Sequence, residues 1–168
     1  MSRVIRALCV AAGAIAVVSC SSAPPDTAAD LKAVAALRDA YVAAFNAEDA
    51  DKTAALFTTD ALYMADNAQQ VIGRDKIRDR YREIMAGMDS DIQLKAEETV
   101  VNGDWGFERG QTWVHIMAKD RKSTIPMIMD QGKYLVVFKK QADNSWLLSR
   151  VMTNSNIALP PAPVPATK

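Results

Sequence analysis

The sequence predicts an α+β domain in which three N-terminal helices pack on one face of a strongly curved antiparallel sheet. Three observations predict it. Apolar residues recur at spacings of three and four as far as Gly87 and at spacings of two beyond it. Turn-forming residues then divide the second half of the chain into four long segments. Gly106, Gly110 and Gly132 fall inside those segments, where a missing side chain marks a bulge or a bend. Helices first and strands later place the helices on one face of a single sheet.

The first helix is predicted over residues 27–47. Leu31, Val34, Leu37, Tyr41 and Phe45 form its apolar stripe, and Asp26 or Thr27 is placed to cap its start. "EDADKTAALF" makes a shorter second helix, and "DALYMAD" a short extended piece. "QQVIG" ends in a turn at Gly73. "RDKIRDRYREIMAG" is the third helix. Its buried side carries Ile77, Tyr81, Ile84, Met85 and Met88, and its wet side carries Asp–Arg pairs three residues apart. Gly87 stands at the position of a C-terminal cap. Four strands follow: "IQLKAEETVV", "WGFERGQTWVHIMA", "PMIMDQGKYLVVFKK" and "SWLLSRVMTNSN". Short links rich in Asn, Gly, Asp and charge join them, as in an antiparallel meander.

The two ends of the chain read differently. "MSRVIRALCVAAGAIAVVSC" has a basic start (Arg3 and Arg6), about a dozen apolar or small residues, and a small residue before Cys20. The run is shorter than the roughly 20 residues of a spanning helix. It resembles the lipobox of bacterial lipoproteins, which implies cleavage before Cys20 and acylation of its sulfur. More than one acyl chain makes a stable anchor, at about 0.8 kcal/mol per buried methylene. The expected divisions are a signal peptide (1–19), a lipidated tether (20–26), one domain (27–158) and a proline-rich extended tail (159–168). The chain has 168 residues and two cysteines, Cys9 and Cys20, so the mature domain is expected to hold together without a disulfide. Loss of Arg3 and Arg6 leaves 18 basic against 20 acidic residues, a balance that argues against nucleic acid as a partner.

The order helix, helix, strand, helix, four long strands resembles the nuclear-transport-factor-two-like cone fold, especially its SnoaL-like and ketosteroid-isomerase-like members. The resemblance lies in "AYVAAFNAEDADKTAALFTTDALYM" (40–64), "VIGRDKIRDRYREIM" (71–85), "QGKYLVVFKK" (131–140) and "SWLLSRVMTNSN" (145–156). It implies a cone-shaped, cystatin-like roll with a hollow between helices and sheet. It places Tyr41 at the tyrosine that donates a hydrogen bond to a developing oxyanion in the isomerases. It places Ala65 where those enzymes carry a carboxylate base, with Asp66 one residue further on. Their second acid falls near Leu135–Val136, where this chain has no carboxylate. Steroid isomerase activity is therefore not implied, and the fold alone names no chemistry.

The candidate catalytic residues are Tyr41, Asp66 and His115. Tyr41 is either a packed tyrosine with a bonded hydroxyl or a donor facing the hollow. Asp66 serves as a base only if its strand is bulged or slipped. His115, the single histidine, is either a hydrogen-bonded structural residue or a general base. The candidate ligand-binding residues are Tyr41, Phe45, Tyr63, Trp113, Arg150 and Asn154. Arg150, flanked by apolar residues, is expected to meet Glu108 or Asp130, or to face a wet cavity. Met117, Met127, Met129 and Met152 either line an adaptable pocket or fill core. No metal-ligand spacing and no cofactor motif occurs. The expected partners are a small, largely apolar ligand, the lipid bilayer through Cys20, and a second copy of the chain through the sheet. Ser21 after Cys20 resembles outer-membrane sorting in Gram-negative lipoproteins, so the expected location is the cell envelope.

Overall fold

The computed structural model describes residues 27–120 and 127–157. The expected signal peptide, Cys20, the expected tether and the proline-rich tail lie outside the described residues. Helix α1 runs from Thr27 to Asn46, α2 from Ala50 to Ala55, and α3 from Arg74 to Gly87. Strands are β1 (Phe57–Met64), β2 (Val71–Ile72), β3 (Met88–Asn102), β4 (Trp105–Ala118), β5 (Ile128–Lys140) and β6 (Trp146–Ser155). They form one six-stranded sheet in the order β2-β1-β6-β5-β4-β3. The domain is the expected α+β roll, with helices packed inside a curved sheet.

Local chemistry explains most boundaries. Asp49 caps α2 by accepting a hydrogen bond from the Lys52 amide at 2.9 Å. The strand after α2 begins at Phe57, three residues earlier than the apolar pattern suggested. Gly73 precedes α3 with φ +95, a conformation that favours glycine. Gly87 is not the left-handed cap expected of it. It is the last helical residue, and Met88 beyond it is already extended, at φ −138 and ψ 136. The helix therefore runs directly into β3. Among the described residues no helix is long and apolar enough to cross a membrane.

Strands β3 to β6 form the predicted antiparallel meander. One pairing departs from it: β1 lies parallel to β6. Adjacent turns cannot encode such a contact, because it joins opposite ends of the domain. The curvature has a backbone cause. A β-carbon at Gly110 would lie 2.0 Å from the Lys95 carbonyl oxygen, and one at Gly132 would lie 2.3 Å from that of Asn154. The neighbouring strands approach too closely there for any side chain. The β3–β4 register also slips between Ala96 and Glu98, beside Gly110.

The core joins both layers. Phe57, Ile77, Tyr81, Phe138 and Val34 are fully or almost fully buried within it. Helix α1 is fixed at both ends. Asp30 accepts hydrogen bonds from the Trp146 indole at 2.9 Å and from Lys140 Nζ at 2.8 Å. Asn46 pairs with the Ile92 backbone in both directions, at 2.9 and 3.0 Å. These ties hold α1 across the hollow of the sheet.

Candidate functional site

Between α1, α3 and the inner sheet face lies a chamber of about 530 Å³. That is within the range of small-molecule sites, roughly 300–1,000 Å³. Helix α1 contributes Arg38, Tyr41 and Phe45, which share one face by their spacing of three and four. Helix α3 adds Tyr81 and Ile84, and β1 adds Tyr63. The sheet supplies an apolar wall that includes Ile92, Leu94, Val114, Val136 and Val151.

Three tyrosines meet on the helical side. The hydroxyls of Tyr41 and Tyr81 lie 3.0 Å apart. Tyr63 approaches from β1, with its ring centroid 5.7 Å from that of Tyr81, and the two phenols interact. Tyr81 is fully buried, whereas Tyr41 and Tyr63 are half-buried and line the chamber. Burial pushes all three phenols above their usual pKa, because a phenolate would lose its solvation. They therefore stay protonated. Two bonds among the three hydroxyls use two of their three protons, so the cluster keeps one donor for a further group.

The deep polar group is Glu108, 1% exposed. Tyr134 donates to its Oε1 at 2.9 Å; Arg38 and Thr99 donate to its Oε2, each at 2.9 Å. Burial and the facing Glu108 charge push the Tyr134 phenol up. The carboxylate has an ionic partner and two hydroxyl donors, which offsets its desolvation. Nearer the mouth, Asp66 accepts from Thr153 Oγ1 at 3.3 Å, and Asp130 accepts from Ser155 Oγ at 2.7 Å.

The structure brings some predicted residues together and leaves others out. Tyr41, Phe45, Tyr63, Asp66 and Asn154 line the chamber. Asp66 sits in the turn that follows β1, which ends at Met64, and the β1–β6 register is irregular upstream of it, shifting between Phe57 and Leu62. His115 and Trp113 do not line it. On β4 the inward positions are Glu108, Thr112, Val114 and Ile116, so the alternation turns Trp113 and the exposed His115 to the outer face. Arg150 is also excluded, by a bulge. Phe138 pairs with Leu148, yet Val137 pairs with Arg150, so Ser149 is an extra residue in β6. The inward set becomes Leu148, Val151, Thr153 and Ser155. Arg150 meets neither Glu108 nor Asp130; it donates to the Ser149 carbonyl at 2.7 Å and lies 3.8 Å from the Asp60 carboxylate. Met117, Met127, Met129 and Met152 are exposed and line no part of the chamber.

Sequence reasoning missed Arg38, Tyr81, Glu108 and Asp130 as chamber residues. A signal existed for Arg38, three residues before Tyr41 on the same helical face. Glu108 shares strand parity with Thr112, but a lone Glu in a strand is ordinarily read as solvated. Among the described residues, no cluster of His, Cys, Asp or Glu could hold a metal ion.

Residues 39–140 match the model of the SnoaL-like domain. The chain belongs to that family. The SnoaL-like domain here is similar to a ketosteroid isomerase-like protein from Erwinia carotovora atroseptica. The two are 25% identical with a TM-score of 0.69, over 77% of this chain and 98% of that one. A nuclear-transport-factor-two-like protein with a cystatin-like fold from Novosphingobium aromaticivorans is 19% identical, with a TM-score of 0.61 over 75% of this chain and 81% of that one. A cystatin-like domain of unknown function from Nostoc punctiforme is 16% identical, with a TM-score of 0.62 over 79% and 81%. These last two likenesses concern the fold alone. No functionally curated protein matches this SnoaL-like chain.

Proposed function

We propose that this SnoaL-like protein binds a small, largely apolar molecule in its chamber while anchored in the cell envelope through an acylated Cys20. The chamber carries the reading: about 530 Å³ lined mainly by apolar side chains, with protonated phenols as neutral donors. Tyr41 orients the ligand by hydrogen bonding, and Phe45 and Tyr63 supply aromatic contact area. Native mass spectrometry of the full-length chain tests it. A retained small molecule supports binding; a bare chain that also binds no apolar fluorescent probe refutes it. The anchor has a separate test. Cys20→Ser is expected to move the protein from the membrane to the soluble fraction, and unchanged fractionation sinks that part.

One observation favours a second reading, an enzyme of the isomerase, hydratase or lyase type. Tyr41 and Asp66 both line the chamber, so a proton donor and a base face the same space. In that reading Tyr41 stabilises negative charge on a substrate oxygen and Asp66 moves a proton. Loss of turnover in both Tyr41→Phe and Asp66→Asn is the expected result. As a further partner we propose a second copy of the chain, seated on the outer sheet face, where Met129, Leu135 and Met152 are exposed.

A further inference from the structure

The chamber wall carries four charged side chains: Arg38, Glu108, Asp66 and Asp130. Arg38 and Glu108 form an ion pair at 2.9 Å and cancel. Asp66 and Asp130 remain, and among the described residues neither has a Lys or Arg partner. The neutral donors that reach them are Thr153 and Asn67 for Asp66, at 3.3 and 3.5 Å, and Ser155 for Asp130, at 2.7 Å. A carboxylate has about four acceptor sites, so most of theirs stay open. Thr153 and Ser155 are inward neighbours on β6, which puts one carboxylate on each side of that strand. Arg150, the nearby cation on β6, is turned outward by the bulge at Ser149.

A second observation points to a polar ligand group. Ser90 is 9% exposed and lines the same chamber, yet its Oγ has no hydrogen-bond partner among the described residues. Buried hydroxyls are ordinarily bonded, and a hydroxyl accepts as readily as it donates.

From this unbalanced wall we infer that the ligand is an amine: an apolar body fills the chamber while a protonated amino group meets Asp66 and Asp130. This rests on the chamber being the ligand site. An ammonium offers three donors to open carboxylate acceptors. A ligand carboxylate would instead face two like charges and, among the described residues, no free cation.

Three fluorescent probes with a common ring separate the two claims: dansylcadaverine (amine), N-pentyl dansylamide (neutral) and dansyl-aminocaproate (acid), each titrated into the full-length chain. The amine is expected to bind about tenfold tighter than the neutral probe, and the acid weakest. In Asp66→Asn/Asp130→Asn, with folding checked by near-ultraviolet circular dichroism, the amine-to-neutral affinity ratio is expected to fall to about one. An amine no tighter than the neutral probe overturns the inference and leaves the chamber reading standing. A preference that survives in the folded double variant overturns it too. Should no probe bind, both readings fall. The order of the three probes on the unaltered chain decides the matter even if the double variant does not fold.

Discussion

Tyr41 shows how one side chain answers to packing and chemistry together. It lies against Phe45, Phe57 and Tyr81, with ring centroids 6.1–6.5 Å away, and its hydroxyl is bonded to Tyr81. It also lines the chamber, so packing in the core and facing the hollow are compatible at this position. All four tyrosines of the chain have raised pKa values, burial being the largest cause for each. The linkage follows in sign. A phenol whose folded pKa exceeds the unfolded value of about 10 contributes stability below that pH and loses it as pH rises above it. Ultraviolet titration is therefore expected to show no phenol ionising near pH 10 in the native protein, and all of them once it unfolds. A native tyrosine titrating at the ordinary value would contradict the burial. Glu108 leads to a second expectation. Arg38→Met strands a buried carboxylate, at a cost of about 3 kcal/mol in urea unfolding. A change within about 0.5 kcal/mol would mean that water already reaches Glu108.

At the scale of elements, strands β4 to β6 decide what the chamber sees. Gly110 and Gly132 let neighbouring backbones approach, and the Ser149 bulge inverts the side-chain alternation of β6. The sequence shows the glycines but not the bulge. Strict alternation from Trp146 puts Arg150 and Met152 inside; one extra residue puts Val151 and Thr153 there instead. The same alternation on β4 has no interruption between Glu108 and Ile116, so His115 and Trp113 stay outside. A substitution at the closest approach tests the curvature. Gly110→Ala forces its β-carbon against the Lys95 carbonyl, and a loss of about 1–3 kcal/mol is expected. Thermal unfolding measures it, and an unchanged midpoint would mean that β3 moves aside freely.

For the molecule as a whole, the decisive property is an unfilled space beneath a helix tied at both ends. Asp30 and Asn46 hold α1 over the sheet, and the arch leaves more volume than its side chains occupy. Half-buried Val114 faces that volume. Val114→Phe is expected to fill part of it, weakening N-pentyl dansylamide about tenfold or more while the unfolding midpoint holds. If affinity survives, the probe sits elsewhere.

Periodicity alone determined the helices, the long strands and the α+β class, because burial of one face imposes a repeat of 3.6 or 2 that is local and countable. The family resemblance, rather than a repeat, points Tyr63 toward the hollow, since the β1–β6 register shifts between Phe57 and Leu62; Tyr41 and Phe45 lie on the apolar repeat of α1. Tertiary structure decided what no local repeat records: the parallel β1–β6 contact, the bulge that turns Arg150 away, the Arg38–Glu108 pair joined across seventy residues, and the two carboxylates left without a cation among the described residues. Those depend on which distant backbones come close and on the charge each brings with it, quantities that exist only once the chain has closed on itself.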